Sequence, residues 1–156
     1  PYTRPMFVRG SAGSRRPPVP IGQRLAAAAV ALGSLGLLTV AMLLRPSPAG
    51  HGTHTALGMP PCSWADRLNA PCPACGMTTS FAYAANGDPL GSLRAQPFAT
   101  LLALGTAAAF WAGLYIAATG STLGGEFGRM LRPGVLWPLG ALALLAWGYK
   151  FLTWPR

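Results

Sequence analysis

The sequence carries very little charge. Charged residues make up 10% of the chain, with 3 Asp and Glu against 12 Lys and Arg, whereas a soluble domain usually carries roughly a quarter. Hydrophobic residues account for 51%, and they come in long blocks rather than at scattered core positions. The only carboxylates are Asp66, Asp88 and Glu126, too few for the acid–base constellation of a hydrolase.

Other absences narrow the function further. The long apolar runs contain no Asp, Glu, His or Arg, which are the residues that usually mark ion and proton pathways, so the pattern argues against a transporter or pump. The net charge is +9, but no nucleic-acid motif accompanies it, which argues against DNA or RNA as a partner. The expected partner is the lipid bilayer, with a membrane-protein partner or a homo-oligomer also open.

Three apolar runs are long enough to cross a membrane, since about 20 helical residues span roughly 30 Å. The predicted fold class is an all-α integral membrane protein with three transmembrane helices plus one or two short interfacial helices. The predicted segments are a flexible basic N-terminal tail (1–24), transmembrane helix 1 (25–44), a cysteine-bearing loop with short helices (45–97), transmembrane helix 2 (98–118), a short loop (119–134) and transmembrane helix 3 (135–152).

The distribution of arginine predicts an orientation. Positive charge is enriched on the cytoplasmic side of membrane proteins. The tail carries five arginines and the short loop carries Arg129 and Arg132, whereas the long cysteine-bearing loop has three over some fifty residues. We therefore expect a cytoplasmic N-terminus and an external cysteine-bearing loop. Lys150 and Arg156 argue weakly against this orientation. Lys150 is expected to snorkel to the interface, with Trp147 among the aromatic residues of an interfacial belt.

The second apolar run repeats a small residue every fourth position. Small residues let helices approach closely in lipid, so this stripe predicts a packing face. Its members are Gly105, Ala109, Gly113 and Ala117.

All three cysteines lie in the cysteine-bearing loop. Cys62, Cys72 and Cys75 form a C-x9-C-x2-C pattern, and a helix is predicted from about Cys75 to Ala85. A second short helix is predicted from Asp88-Pro89 to Gln96-Pro97. A cysteine near a helix N-terminus can have a lowered pKa. Thr78, Thr79 and Ser80 follow the motif and are expected to cap the helix or to bond its first turn.

Three interpretations of the cysteines stay open. Cys72 and Cys75 are candidates for thiol–disulfide exchange with Cys62 as a resolving or structural partner. Alternatively, the three cysteines ligate zinc or another thiolate-bound metal, with His51 or His54 as a weaker fourth candidate. In the third interpretation a structural disulfide clips the loop. No βαβ pattern and no second C-x-x-C are present, which argues against a thioredoxin fold and a zinc ribbon.

The cysteine motif resembles a known family. The run Cys62…Cys72-Pro-Ala-Cys75-Gly-Met-Thr-Thr-Ser, followed by Gly87-Asp88 and Ala95-Gln-Pro-Phe98, is similar to the DUF2752 family of small bacterial membrane proteins, over roughly Leu57 to Ala118. Many members have Arg where this chain has Thr79. The resemblance implies a multi-pass protein of the inner (plasma) membrane and carries no activity or cofactor.

The sequence thus favours a small polytopic membrane protein. Its most direct interpretation is a non-enzymatic accessory or assembly module whose cysteine loop is structural or binds metal. The alternative is a membrane thiol–disulfide oxidoreductase that uses Cys72 and Cys75.

Overall fold

The computed structural model describes residues 19–121 and 132–154, and within these ranges the chain is built of helices. Three of them are long and apolar enough to cross a membrane, which confirms the predicted fold class. Arg4, Arg9, Arg15 and Arg16 of the predicted tail, and Glu126 and Arg129 of the predicted short loop, lie outside the described residues. The spanning helices are α1 (Ile21–Leu43), α5 (Pro97–Thr119) and α6 (Pro133–Leu152).

Four short helical elements connect α1 to α5. Two of them, α3 (Met77–Ala85) and α4 (Pro89–Ala95), confirm the helices predicted after the cysteine motif. A 3₁₀ turn (Thr53–Leu57) and α2 (Ser63–Leu68) are additional to the prediction. The Asp88 carboxylate caps α4 by accepting from Gly91 N at 2.8 Å, as its position before Pro89 predicts.

Helices α1 and α5 pack against each other as an antiparallel pair, and a glycine makes the contact close. A Cβ atom at Gly113 would come within 2.7 Å of the Ala27 carbonyl oxygen and 3.2 Å of the Ala31 Cβ. Apart from its chain neighbours and the backbone of its own helix, no described residue has an atom within 4 Å of the corresponding position at Gly105, which is exposed. The stripe of small residues therefore contacts α1 at Gly113. Gly105 faces away from α1 and has no packing role in the described chain. Ala109 and Ala117 are half-buried.

Arg24 joins the same two helices at the opposite end from the cysteines. It lies in the first turns of α1 rather than in the predicted tail. Its guanidinium donates to the Ala117 carbonyl at 2.8 and 3.0 Å and to the Ala118 carbonyl at 3.2 Å. These carbonyls belong to the last turn of α5, where a cation is favoured by the helix dipole.

The third spanning helix contacts the rest of the chain through its C-terminal end. Lys150 bonds to Gly50 and Ala95, which lie just after α1 and just before α5. The C-terminal end of α6 is therefore on the same side as the end of α1 and the start of α5. The short elements and all three cysteines lie on this side too.

Candidate functional site

The three cysteines form one cluster. The Sγ atoms of Cys72 and Cys75 are 3.3 Å apart, and those of Cys75 and Cys62 are 3.9 Å apart. All three sulfurs lie within 4.8 Å of one another. All three are free thiols, with Cys75 buried and the other two half-buried. The sequence named all three cysteines as candidates, with Cys72 and Cys75 paired by their spacing, and the fold brings Cys62 to this pair.

A tight turn brings Cys72 and Cys75 together. The Cys75 amide donates to the Cys72 carbonyl at 2.9 Å, and the Met77 amide donates to Ala74 at 3.1 Å. Gly76 is the N-cap of α3 and has a φ of 89°, a conformation that glycine tolerates without strain. A Cβ there would come within 2.8 Å of the Gly50 carbonyl oxygen and 2.9 Å of that of Ala95. Glycine therefore lets the cysteine turn lie directly on the neighbouring backbone.

Two spanning helices hold the prolines on either side of Cys72. The Trp147 indole of α6 donates to the Pro71 carbonyl at 3.0 Å. The Gln96 amide nitrogen donates to the Pro73 carbonyl at 3.3 Å, while its amide oxygen accepts from Ala99 N at the start of α5. Trp147 was predicted as a belt residue, and its indole also supports the site. Gln96 was predicted only to end the preceding helix.

A buried network of hydroxyl groups lies behind the cysteine turn. Ser80 Oγ contacts the hydroxyls of Ser92 and Thr100 at 2.8 and 3.2 Å, and Thr79 bonds to Thr53 at 2.8 Å. Ser80, Ser92 and Thr79 are fully buried. Thr79 and Ser80 therefore link α3 to other segments, rather than capping their own helix as the sequence suggested. Such satisfied networks fix the arrangement of a buried interface.

A cleft of about 440 Å³ opens onto the cluster. Both histidines line it together with the three cysteines, Met59 and Asp66. His54 Nε2 contacts the Pro60 carbonyl at 3.2 Å, and the His51 ring stacks on Trp154 with a centroid distance of 4.5 Å. Among the described residues, the group of closely spaced ligand atoms comprises the three sulfurs and neither imidazole. The histidines lie beside the cluster rather than within it.

The surroundings shift the pKa values of Cys62 and Cys75 in opposite directions. The backbone amide of Ala65, helped by Cys72 and by the amide of Trp64, lowers the pKa of Cys62 against the opposing effect of burial. Burial, with the contact to Cys72, raises the pKa of Cys75 to about 12. The lowered pKa therefore falls on Cys62, whereas the motif pointed to a cysteine at the start of α3.

We expect Cys62 to be alkylated well before Cys75 in the reduced, metal-free protein near neutral pH. Iodoacetamide reacts with the thiolate, and a lowered pKa populates the thiolate at lower pH while a raised pKa suppresses it. Quenched alkylation followed by peptide mass spectrometry at a series of pH values would measure both rates. The rate at Cys62 should reach its plateau at a lower pH than the rate at Cys75. Equal pH profiles would contradict the assigned acidities.

Lys150 differs from its prediction. It does not snorkel to solvent but is 6% exposed, and its ammonium donates to the Gly50 carbonyl at 2.9 Å and the Ala95 carbonyl at 3.0 Å. The cysteine segment folds over this end of α6, so its carbonyls take the place of water.

Fold and site together define an all-α multi-pass membrane protein with a three-cysteine cluster at one end of its spanning helices. The sequence profile of a family described as a protein of unknown function, DUF2752, matches residues 62–110. This segment contains all three cysteines, α2 to α4 and the N-terminal part of α5. The match confirms the family resemblance predicted from the cysteine motif for residues 62–110. Searches of curated proteins and of solved structures gave no match.

Proposed function

We propose that the protein is a non-enzymatic accessory or assembly module of the membrane that binds a thiophilic metal ion at Cys62, Cys72 and Cys75. The separation of the sulfurs carries this proposal. Zn–S bonds of about 2.3 Å in a tetrahedral site place neighbouring sulfurs about 3.8 Å apart. The Cys75–Cys62 distance is 3.9 Å and the Cys72–Cys75 distance is 3.3 Å. A metal ion would need only small side-chain rotations.

The cleft supports the same function. A zinc site takes a fourth ligand, and a histidine lining the cleft or a molecule that enters it supplies one. His54 is the better candidate for the fourth ligand. Its imidazole makes only an exposed contact to Pro60, whereas His51 is stacked on Trp154. Burial and the charge of Lys150 lower the pKa of His51, with a further contribution from His54, and this shift favours the neutral imidazole.

The orientation of the protein is part of the proposal. An N-terminus in the cytoplasm of a bacterial cell places the cluster on the outer face of the inner membrane. Arg24 and Arg132 lie on the side away from the cysteines, which supports a cytoplasmic position for that side. Arg45, Arg67 and Arg94 lie on the cysteine side, spread over a longer segment. The module would thus present its metal to an external partner.

Metal titration of the purified, reduced protein tests this function. We expect one Cd²⁺ or Co²⁺ ion per chain, with the ultraviolet charge-transfer absorption of a three-thiolate centre. Because metal ions displace thiol protons, the apparent affinity should rise with pH. Cys75→Ser should remove most of the affinity, whereas Ser63→Ala, next to Cys62 but outside the group of ligand atoms, should retain it. A wild-type protein that shows no thiolate–metal absorption would overturn the proposal.

One distance favours a second function, a membrane thiol–disulfide oxidoreductase. The 3.3 Å between the sulfurs of Cys72 and Cys75 leaves a short movement to a disulfide bond of about 2.05 Å. In that case the Cys72 thiolate attacks a partner disulfide, and one partner sulfur leaves as a thiolate. Cys75 then attacks the Cys72 sulfur of the mixed disulfide, which forms the Cys72–Cys75 bond and releases the second partner sulfur, so the partner is reduced as the dithiol is oxidised. A protein that fails to bind metal but accumulates mixed disulfides as Cys75→Ser would support this function instead.

A further inference from the structure

The buried ammonium of Lys150 has no acidic partner in the described part of the chain. Its two hydrogen bonds go to the neutral carbonyls of Gly50 and Ala95, although an ammonium carries three N–H groups. A buried charge is costly unless an opposite charge compensates it. The side chain is 6% exposed, and the chain contains no other lysine. The position therefore calls for a nearby anion.

The cysteine cluster lies where that anion is needed. The Gly50 carbonyl oxygen that accepts from Lys150 lies 2.8 Å from the Cβ position of Gly76, the residue directly after Cys75. The Ala95 carbonyl oxygen likewise lies 3.0 Å from the Lys150 Nζ and 2.9 Å from the Cβ position of Gly76. The ammonium and the cysteine turn thus sit on the same two oxygen atoms.

Cys75 and His51 both interact electrostatically with Lys150. His51 cannot be the anion, because an imidazole is either neutral or positively charged. Cys75 becomes negative once a metal ion displaces its proton. Three thiolates leave a net charge of −1 around a divalent ion and −2 around a monovalent ion, so the loaded centre is anionic in either case.

We propose that Lys150 is the counter-charge of the metal–thiolate centre, a positioning residue on the third spanning helix that stabilises the loaded, anionic state. This inference rests on the proposed metal-binding function and adds a role for α6. It also explains why lysine occupies the position. A compact ammonium fits over two converging carbonyls, whereas the wide, planar guanidinium of arginine spreads its donors in a fork.

The test compares Lys150→Gln with wild type for Cd²⁺ and Ag⁺ binding by chelator competition. Glutamine retains N–H donors but is one atom shorter than lysine, so the variant removes the charge and also loosens the contact to the two carbonyls; the comparison of the two ions separates these effects. We expect the affinity for Cd²⁺ to fall about tenfold, within the range for groups that support metal ligands, and the affinity for Ag⁺ to fall more because its centre is more negative. Arg24→Gln is the matched control, because it also removes a cation from helix-end carbonyls but lies at the far end of α5.

An unchanged affinity in Lys150→Gln, or an equal loss for both ions, would overturn the inference, since a purely structural role does not depend on the charge of the ion. A wild-type protein that binds neither ion would instead overturn the proposed function, and the counter-charge with it. Should Lys150→Gln fail to fold, the wild type still gives an answer. Because the chain has a single lysine, ¹⁵N-lysine labelling yields one Nζ resonance, which should shift on Cd²⁺ loading; a resonance that stays in place would contradict the proposal.

Discussion

Gly113→Leu should destabilise the protein by about 3 kcal/mol or more, the upper part of the range for overpacking a close contact. Even a Cβ atom at this position would stand 2.7 Å from the Ala27 carbonyl oxygen, which is backbone and cannot rotate away. A leucine would therefore push α1 away from α5. Reversible unfolding in mixed detergent micelles, followed by tryptophan fluorescence, would measure the free energy of unfolding.

Gly105→Leu is the matched control, since it makes the same substitution two helical turns earlier. Beyond its chain neighbours and its own helix backbone, no described residue comes within 4 Å of the Cβ position of Gly105. Replacing a helical glycine there should leave the free energy of unfolding unchanged or raise it by up to about 1 kcal/mol. Equal losses at both positions would contradict the assignment of the packing face and point to a second contact surface around Gly105.

The contrast between these glycines shows how far the sequence specifies the helix packing. A period of four identified a stripe of small residues, but a period of four drifts around a helix with 3.6 residues per turn. One end of such a stripe can therefore face a neighbour while the other faces lipid. Gly113 and Gly105 are chemically identical, and only the crossing of α1 and α5 distinguishes them. The existence of the spanning helices, by contrast, follows from local composition and was predicted correctly.

The candidate site also has a part that the local sequence predicts and a part that depends on long-range contacts. Local spacing predicted that Cys72 and Cys75 share one turn, and that helices follow at Met77 and Pro89. The groups that support this turn come from far along the chain: Trp147 bonds to Pro71 and Lys150 bonds to Gly50. Nothing in the local pattern distinguishes a tryptophan in an interfacial belt from one that donates to a loop carbonyl. Long-range contacts of this kind depend on how α6 docks, which periodicity does not encode.

Gln96→Leu should cost about 3 kcal/mol of stability and weaken metal binding as well. Gln96 is 2% exposed, its amide oxygen caps α5 at Ala99, and its amide nitrogen holds the carbonyl of Pro73. Losing an N-cap costs about 1 kcal/mol, and each buried group left without a partner adds about 1–3 kcal/mol. The free energy of unfolding and the Cd²⁺ affinity would both be measured.

Two further variants separate the two bonds that Gln96 makes. Gln96→Asn keeps a carbonyl oxygen suited to an N-cap but is one methylene too short to reach Pro73, so it should lose less stability than leucine while still weakening Cd²⁺ binding. Asp88→Ala removes the exposed cap of α4 and should cost about 1 kcal/mol with no change in affinity. If Gln96→Asn bound Cd²⁺ as tightly as wild type, the link from α5 to Pro73 would play no part in holding Cys72. Loss of affinity in the asparagine variant but not in Asp88→Ala would instead show that a spanning helix sets the geometry of the cysteine turn through one amide group.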